Sequence, residues 1–235
     1  MDSQTRHALK QDKFVIATQS SASWVGEHRS SVIRFSIAGV VLLALVIAGI
    51  VVYTQRSEAA ESALGSALDV YSAPLAQPGA PASKGVYNST AERAKAANQQ
   101  FEQVANQYGW LSQGSKAHYF AGLTYQEMGQ TGSAETELKA AASSMDSNLS
   151  SLAKFALAGF YHQTGRDGQA IELYNALIAK PTVAVPVYTP QLALADLYST
   201  AGKPDQAKQL WAKVKDADKA GAAGSIAAEK LNAKK

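Results

Sequence analysis

Apolar residues are distributed along this chain in two different ways. From Phe35 to Tyr53 the run FSIAGVVLLALVIAGIVVY carries no charge, whereas beyond residue 57 apolar positions recur every three or four residues among polar ones. The first pattern belongs to a helix that is apolar on every face, the second to amphipathic helices with one buried stripe. The expected class is therefore all-α: one transmembrane helix followed by an array of helical hairpins.

The uncharged run has 19 residues. As a helix it spans ~28 Å, matching the ~30 Å hydrocarbon core of a bilayer. Arg34 and Arg56 bracket it, and Tyr53 stands where an interfacial aromatic is favoured. A core helix of a soluble domain is seldom apolar all round. A cleaved signal peptide fits poorly, because 34 residues precede the run and its length exceeds the usual ~7–15. Five basic residues, Arg6, Lys10, Lys13, Arg29 and Arg34, precede the span, and only Arg56 follows it before Lys84. The tail 1–34 is thus expected in the cytoplasm, with the transmembrane helix at 35–53 and the rest of the chain across the membrane. The tail itself, with Leu9, Lys13, Ile16 and Trp24, reads as a juxtamembrane surface helix or as a loosely ordered segment.

Residues 54–72 are alanine-rich, with Leu64, Leu68 and Tyr71 at helical spacing, so the membrane helix is expected to continue there. In 73–90, Pro74, Pro78 and Pro81 forbid continuous helix and mark a Pro-rich linker. Three stretches then align without internal gaps. The first places Ala121, Gly122, Tyr125, Gly129, Ala134, Leu138 and Ala141 in order. The second has Leu157, Ala158, Tyr161, Gly165, Ala170, Tyr174 and Leu177 at the same offsets, and the third Leu194, Ala195, Tyr198, Gly202, Ala207, Trp211 and Val214. The displacements are 36 and 37 residues.

This register resembles the tetratricopeptide repeat. The resemblance implies a right-handed superhelix over 91–215, with a degenerate half unit at 91–108, units near 115–148, 151–184 and 188–215, and a capping helix in 216–235. In each unit the small residue at Gly122, Ala158 or Ala195 would let the first helix approach the second at Ala134, Ala170 or Ala207, and the glycine would supply the turn. The inner face of such an array is lined by the first helices. On that register the partner-binding residues are Lys116, Tyr119, Leu123, Gln126 and Glu127, then Leu152, Phe155, Gly159, His162 and Gln163, then Leu192, Asp196, Ser199 and Thr200. Arrays that grip a peptide carboxylate use basic and asparagine side chains here, and only Lys116 matches. The apolar members suggest extended or helical protein segments instead, although Leu152 and Leu192 read equally well as core. Between the last two units, Val183–Tyr188 is a β-prone apolar run among Pro181, Pro186 and Pro190, expected to be extended and either folded over the groove or presented to a partner.

Composition narrows the function further. There are 22 basic and 19 acidic residues, so no field for nucleic acid is expected. No cysteine is present, and the four histidines, His7, His28, His118 and His162, form no local metal pair. Phosphate-loop, dinucleotide and nucleophile-elbow motifs do not occur, Glu135 and Glu137 read as solvated, and Asn88 and Asn148 head short glycosylation-like triplets. The expectation is a protein-binding module with no cofactor, no metal and no catalytic residues. The order of tail, span and repeat domain is similar to the bacterial ancillary SecYEG translocon subunit family, inner-membrane proteins with a periplasmic repeat domain. That resemblance implies client or chaperone partners at the inner membrane, and a translocon or other membrane complex nearby. The alternative is a stable accessory subunit of a larger membrane complex.

Overall fold

The computed structural model describes residues 28–76 and 85–233; the two readings of the tail fall mostly outside them. Nine α-helices and no strands are present among the described residues. The chain divides into two units between Gln55 and Arg56.

Helix α1, Arg29–Tyr71, crosses that division. No proline interrupts it, and it stops three residues before Pro74. Its apolar stretch is exposed on all sides: Phe35 is 77% accessible, Leu42 64% and Ile50 57%. No residue of its most apolar eighteen-residue window is buried in the protein. This helix is long and apolar enough to cross a membrane.

Within the second unit α1 changes character. Ala60, Leu64 and Ala67, spaced by four and three, are buried against α2 (Thr90–Tyr108) and α3 (Ser112–Glu127). Phe101 stacks on Phe120 at 5.3 Å, and the Tyr71 ring meets Phe101 edge-on at 6.0 Å. Asn98, buried in the same layer, donates to Thr124 Oγ1 (2.9 Å) and Ala121 O (3.3 Å). The ends of the proline-rich segment are pinned together, with Ala76 N–H to Tyr87 O at 2.8 Å and an isolated Leu75–Tyr87 bridge. Ser89 caps α2 by accepting from Glu92 N–H, while the Glu92 carboxylate accepts from Asn88 N–H at 2.9 Å.

The remaining helices are α4 (Thr131–Ala142), α5 (Ser147–Gln163), α6 (Asp167–Ala179), α7 (Tyr188–Thr200), α8 (Pro204–Ala217) and α9 (Ala222–Ala233). Each packs on the next in sequence. Skipping contacts link α3 to α5, α5 to α7 and α7 to α9. Two apolar clusters fill this part, one centred on Leu138, Leu157, Tyr161 and Tyr174, the other on Ala195, Ala207, Trp211, Val214 and Ala227.

The turns joining α3 to α4, α5 to α6 and α7 to α8 use Gly129, Gly165 and Gly202, with φ of 71°, 75° and 73°. A Cβ at Gly165 meets no atom within 4 Å, so its only cost is the left-handed backbone. Gly165→Ala is therefore expected to destabilise by ~1 kcal/mol. Thermal unfolding followed by circular dichroism checks this, and an unchanged Tm contradicts it.

The run Val183–Tyr188 is not extended. Thr182 N–H donates to Val185 O (3.1 Å), Val185 N–H donates to Thr182 Oγ1 (3.1 Å), and α7 already begins at Tyr188. Val185 turns inward at 1% exposure while Val183 points out, so burial of one valine defeats the β alternation. Ala184 N–H reaches Asn148 Oδ1, which places this loop at the start of α5, away from His162 and Gln163 at its end.

Candidate functional site

The residues of the expected inner face come from α3, α5 and α7, which touch in series. On α3, Lys116, Tyr119, Leu123 and Gln126 are half-buried and Glu127 is exposed. On α5, Phe155 and His162 are half-buried and Gln163 exposed; on α7, Asp196 is half-buried and Thr200 exposed. Helical spacing puts Lys116, Tyr119, Leu123 and Gln126 along one stripe.

The structure brings some of these together. His162 Nδ1 lies 2.7 Å from Asp167 Oδ1 at the start of α6, and His162 Nε2 lies 3.2 Å from Thr200 Oγ1 at the end of α7. Three helices are thus tied by one imidazole. The Thr200 hydroxyl also lies 3.0 Å from Leu197 O of its own helix, a bond characteristic of helix ends. Asp196 pairs with Lys230 of α9 at 3.0 Å, a half-exposed contact of small energetic weight. Glu127 accepts from the Tyr71 hydroxyl at 2.7 Å. Lys116 has no carboxylate within salt-bridge range among the described residues.

The apolar members are shared between face and core. Tyr119, Leu123 and Phe155 pack on the central cluster while staying partly accessible, and Phe155 meets Tyr174 edge-on at 5.7 Å. Burial holds the Tyr119 phenol above its ordinary pKa. Leu192 packs on the cluster around Trp211. Three surface clefts, of 390, 380 and 320 Å³, lie elsewhere, and none is lined by any of the residues Lys116, Tyr119, Leu123, Gln126, Glu127, Phe155, His162, Gln163, Asp196 or Thr200.

Comparison with protein-family models, with curated proteins and with solved structures gives no match. The geometry of the chain's own residues therefore carries the functional argument.

Three polar groupings on that geometry were not visible in the sequence. Glu135 of α4 accepts from Arg166 Nη1 (2.6 Å), Lys139 Nζ (2.7 Å) and the Tyr161 hydroxyl (3.0 Å). These partners, Lys139 and then Arg166, hold its carboxyl down at about 2, against the smaller opposing effect of burial. The Arg166 bond to Glu135 clamps the α5–α6 turn to the preceding hairpin, and the guanidinium also lies 4.4 Å from the ring centroid of Tyr161 in its own hairpin. Tyr125 of α3 donates to Glu102 of α2. That bond, helped by burial, pushes its phenol up to about 12. His118 and Glu137 make a third link, at 2.6 Å between α3 and α4.

Glu135 has a folded pKa below its ordinary 4.5, so its contribution to stability is full above that value and is lost as pH falls toward about 2. Glu135→Gln is expected to cost ~1 kcal/mol at pH 7, its carboxylate being one-fifth exposed. The difference from the parent protein should shrink between pH 4.5 and 2, as read by urea denaturation at each pH. A difference independent of pH contradicts the assignment.

Proposed function

We propose that the chain is a membrane-tethered scaffold: one span anchors a tetratricopeptide-like array, and the face made by α3, α5 and α7 binds segments of other proteins. The observation that carries this reading is the coincidence of repeat register with geometry. Gly129, Gly165 and Gly202 share one left-handed turn conformation. Ala134, Ala170 and Ala207 are all at 0% exposure. A Cβ at Gly122 would lie 2.7 Å from Leu138 Cγ, so close approach of the paired helices depends on the small residue. Hairpins of this kind bury their apolar faces by stacking, and the contacts of α3 with α5 and α5 with α7 suit that arrangement.

Tyr119, Leu123 and Phe155 keep accessible apolar surface beside Gln126 and Gln163. That mixture fits an extended or helical protein segment, with apolar side chains for contact and amides for hydrogen bonds. The anchor is assigned to a bacterial inner membrane, with a cytoplasmic tail and an extracytoplasmic array. Its partners are then client or chaperone proteins during transport, folding or complex assembly, in the manner of ancillary translocon subunits. Affinity capture of the detergent-solubilised full chain with quantitative mass spectrometry tests the reading. Recovery of several substoichiometric clients or translocon components is expected. A single fixed stoichiometric complex would replace it with a stable accessory-subunit role.

A further inference from the structure

Two of the surface clefts occupy the same place in successive hairpins. The 380 Å³ cleft lies at the start of α3 and the end of α4, and the 390 Å³ cleft at the start of α5 and the end of α6. Ser115, Ala140 and Ser144 line the first; Ser151, Ala176 and Lys180, each 36 residues further on, line the second. That displacement is the repeat's own, so the cleft belongs to the hairpin and not to one loop. Trp110 and Met145, 63% and 103% exposed, border the first cleft, and Val183, 91% exposed, follows Thr182 of the second.

The third hairpin shows what fits there. The counterpart of Ser151, 37 residues on, is Tyr188 at the start of α7. Its ring is half-buried against the cluster of Trp211 and Val214, and its hydroxyl donates to Ala217 O at the end of α8 (3.4 Å). Val214 and Ala217 are the counterparts of Leu177 and Lys180, both of which line the α5–α6 cleft. A phenol of the chain itself thus spans the gap that a serine leaves in the two earlier hairpins.

The two clefts differ in charge. In the first, His118 is held by Glu137 at 2.6 Å, and Asp146 adds a carboxylate. In the second, Lys154 takes the place of His118 and Lys180 comes from the end of α6; neither has a carboxylate within salt-bridge range among the described residues. Three hydroxyls of this cleft turn inward: Ser150 donates to Ala142 O (2.6 Å), and Ser151 and Thr182 bond each other (2.6 Å). An apolar wall of Ala176, Leu177 and Ala179 is left beside two ammonium groups.

We propose that the cleft between α5 and α6 binds an aromatic side chain of another protein, presented in an acidic stretch. The ring takes the position that Tyr188 fills in the third hairpin and packs on Leu177, while flanking carboxylates meet Lys154 and Lys180. The site lies beside the face of α3, α5 and α7 and shares none of its residues.

Binding is read by fluorescence anisotropy, with the full chain in detergent micelles and a rhodamine-labelled, amide-terminated Gly-Asp-Tyr-Glu-Gly probe. Saturable binding is expected, weakened about tenfold or more when alanine replaces the probe's tyrosine. Ser151→Tyr sets a ring in the cleft from within, as Tyr188 does in the third hairpin, and should abolish binding with the helical circular dichroism unchanged. Lys154→Glu with Lys180→Glu, at accessible or partly accessible positions, should lose the acidic probe and gain a Gly-Lys-Tyr-Lys-Gly probe. A misfolded variant cannot produce that gain. No saturable binding to the parent chain overturns the proposal, as does affinity that follows the probe's charge but not its ring. Binding that survives Ser151→Tyr, or a double reversal that gains nothing from the basic probe, overturns it equally.

Discussion

Trp211→Ala is expected to destabilise the array by ~3–5 kcal/mol, the range for truncating a fully buried aromatic. The indole is 1% exposed and is packed among Ala195, Ala207, Val214 and Ala227, contributed by α7, α8 and α9. Ala195, Ala207 and Ala227 have no side chain to rotate into the space, so filling it falls to the partly buried Leu192, Leu210 and Leu231 at the edge of the cluster. The loss should be local, since each hairpin touches mainly its neighbours. Hydrogen exchange should rise across α7–α9 while α2–α4 keep their protection, and Tm should fall by ~10 °C. Trp211→Phe should lose far less, because the indole N–H has no hydrogen-bond partner among the described residues to forfeit. Uniform loss of protection along the whole array would contradict a chain of neighbour contacts.

The second large effect concerns the proposed anchor. Leu43→Arg with Val46→Arg places two charges near the middle of the apolar run, at residues 60% and 51% exposed. Each costs ~2.5–3.5 kcal/mol of insertion free energy, so together they oppose the span by ~5–7 kcal/mol. Expression of the double variant should move the protein from the carbonate-resistant membrane fraction to the soluble or degraded fraction. The matching double alanine variant should stay in the membrane. Carbonate-resistant double-arginine protein would mean that the helix is held by something other than lipid.

The helical class and the long apolar helix were legible because both depend on local composition. Nineteen uncharged residues in a row and apolar spacings of three and four leave few alternatives. The turn glycines were legible for a related reason: a left-handed residue demands a particular side chain, and Gly129, Gly165 and Gly202 announce it. What depends on partners distant in sequence was not. Glu135 read as a solvated helix carboxylate, yet its strongest geometry is to Arg166, 31 residues away, and Tyr125 finds Glu102 across 23. Only packing brings such groups together.

Other signals were present and misread or faint. Ser89-Thr90-Ala91-Glu92 has the spacing of a capping box, and its first two residues also complete the glycosylation-like triplet headed by Asn88. In the loop after α6, residue types pointed to an extended run, but hydrogen bonds from Thr182 and burial of Val185 fold it. The expected face rests on register, and Tyr119, Leu123 and Phe155 divide their surface between core and solvent. The exposed Trp110, Met145 and Val183 escaped altogether, because loops carry no periodicity that relates one to the next.

Protein binding by the face of α3, α5 and α7 is the central claim, and site-specific photocrosslinking of the full-length protein in living cells tests it most directly. A photoreactive residue replaces Gln126 or Gln163 on that face, and Glu172 or Lys208 on the exposed sides of α6 and α8 serves as comparison. Adducts with other proteins are expected from 126 and 163, with few from 172 and 208. Equal adducts from all four positions, or adducts from 172 and 208 alone, would contradict the account.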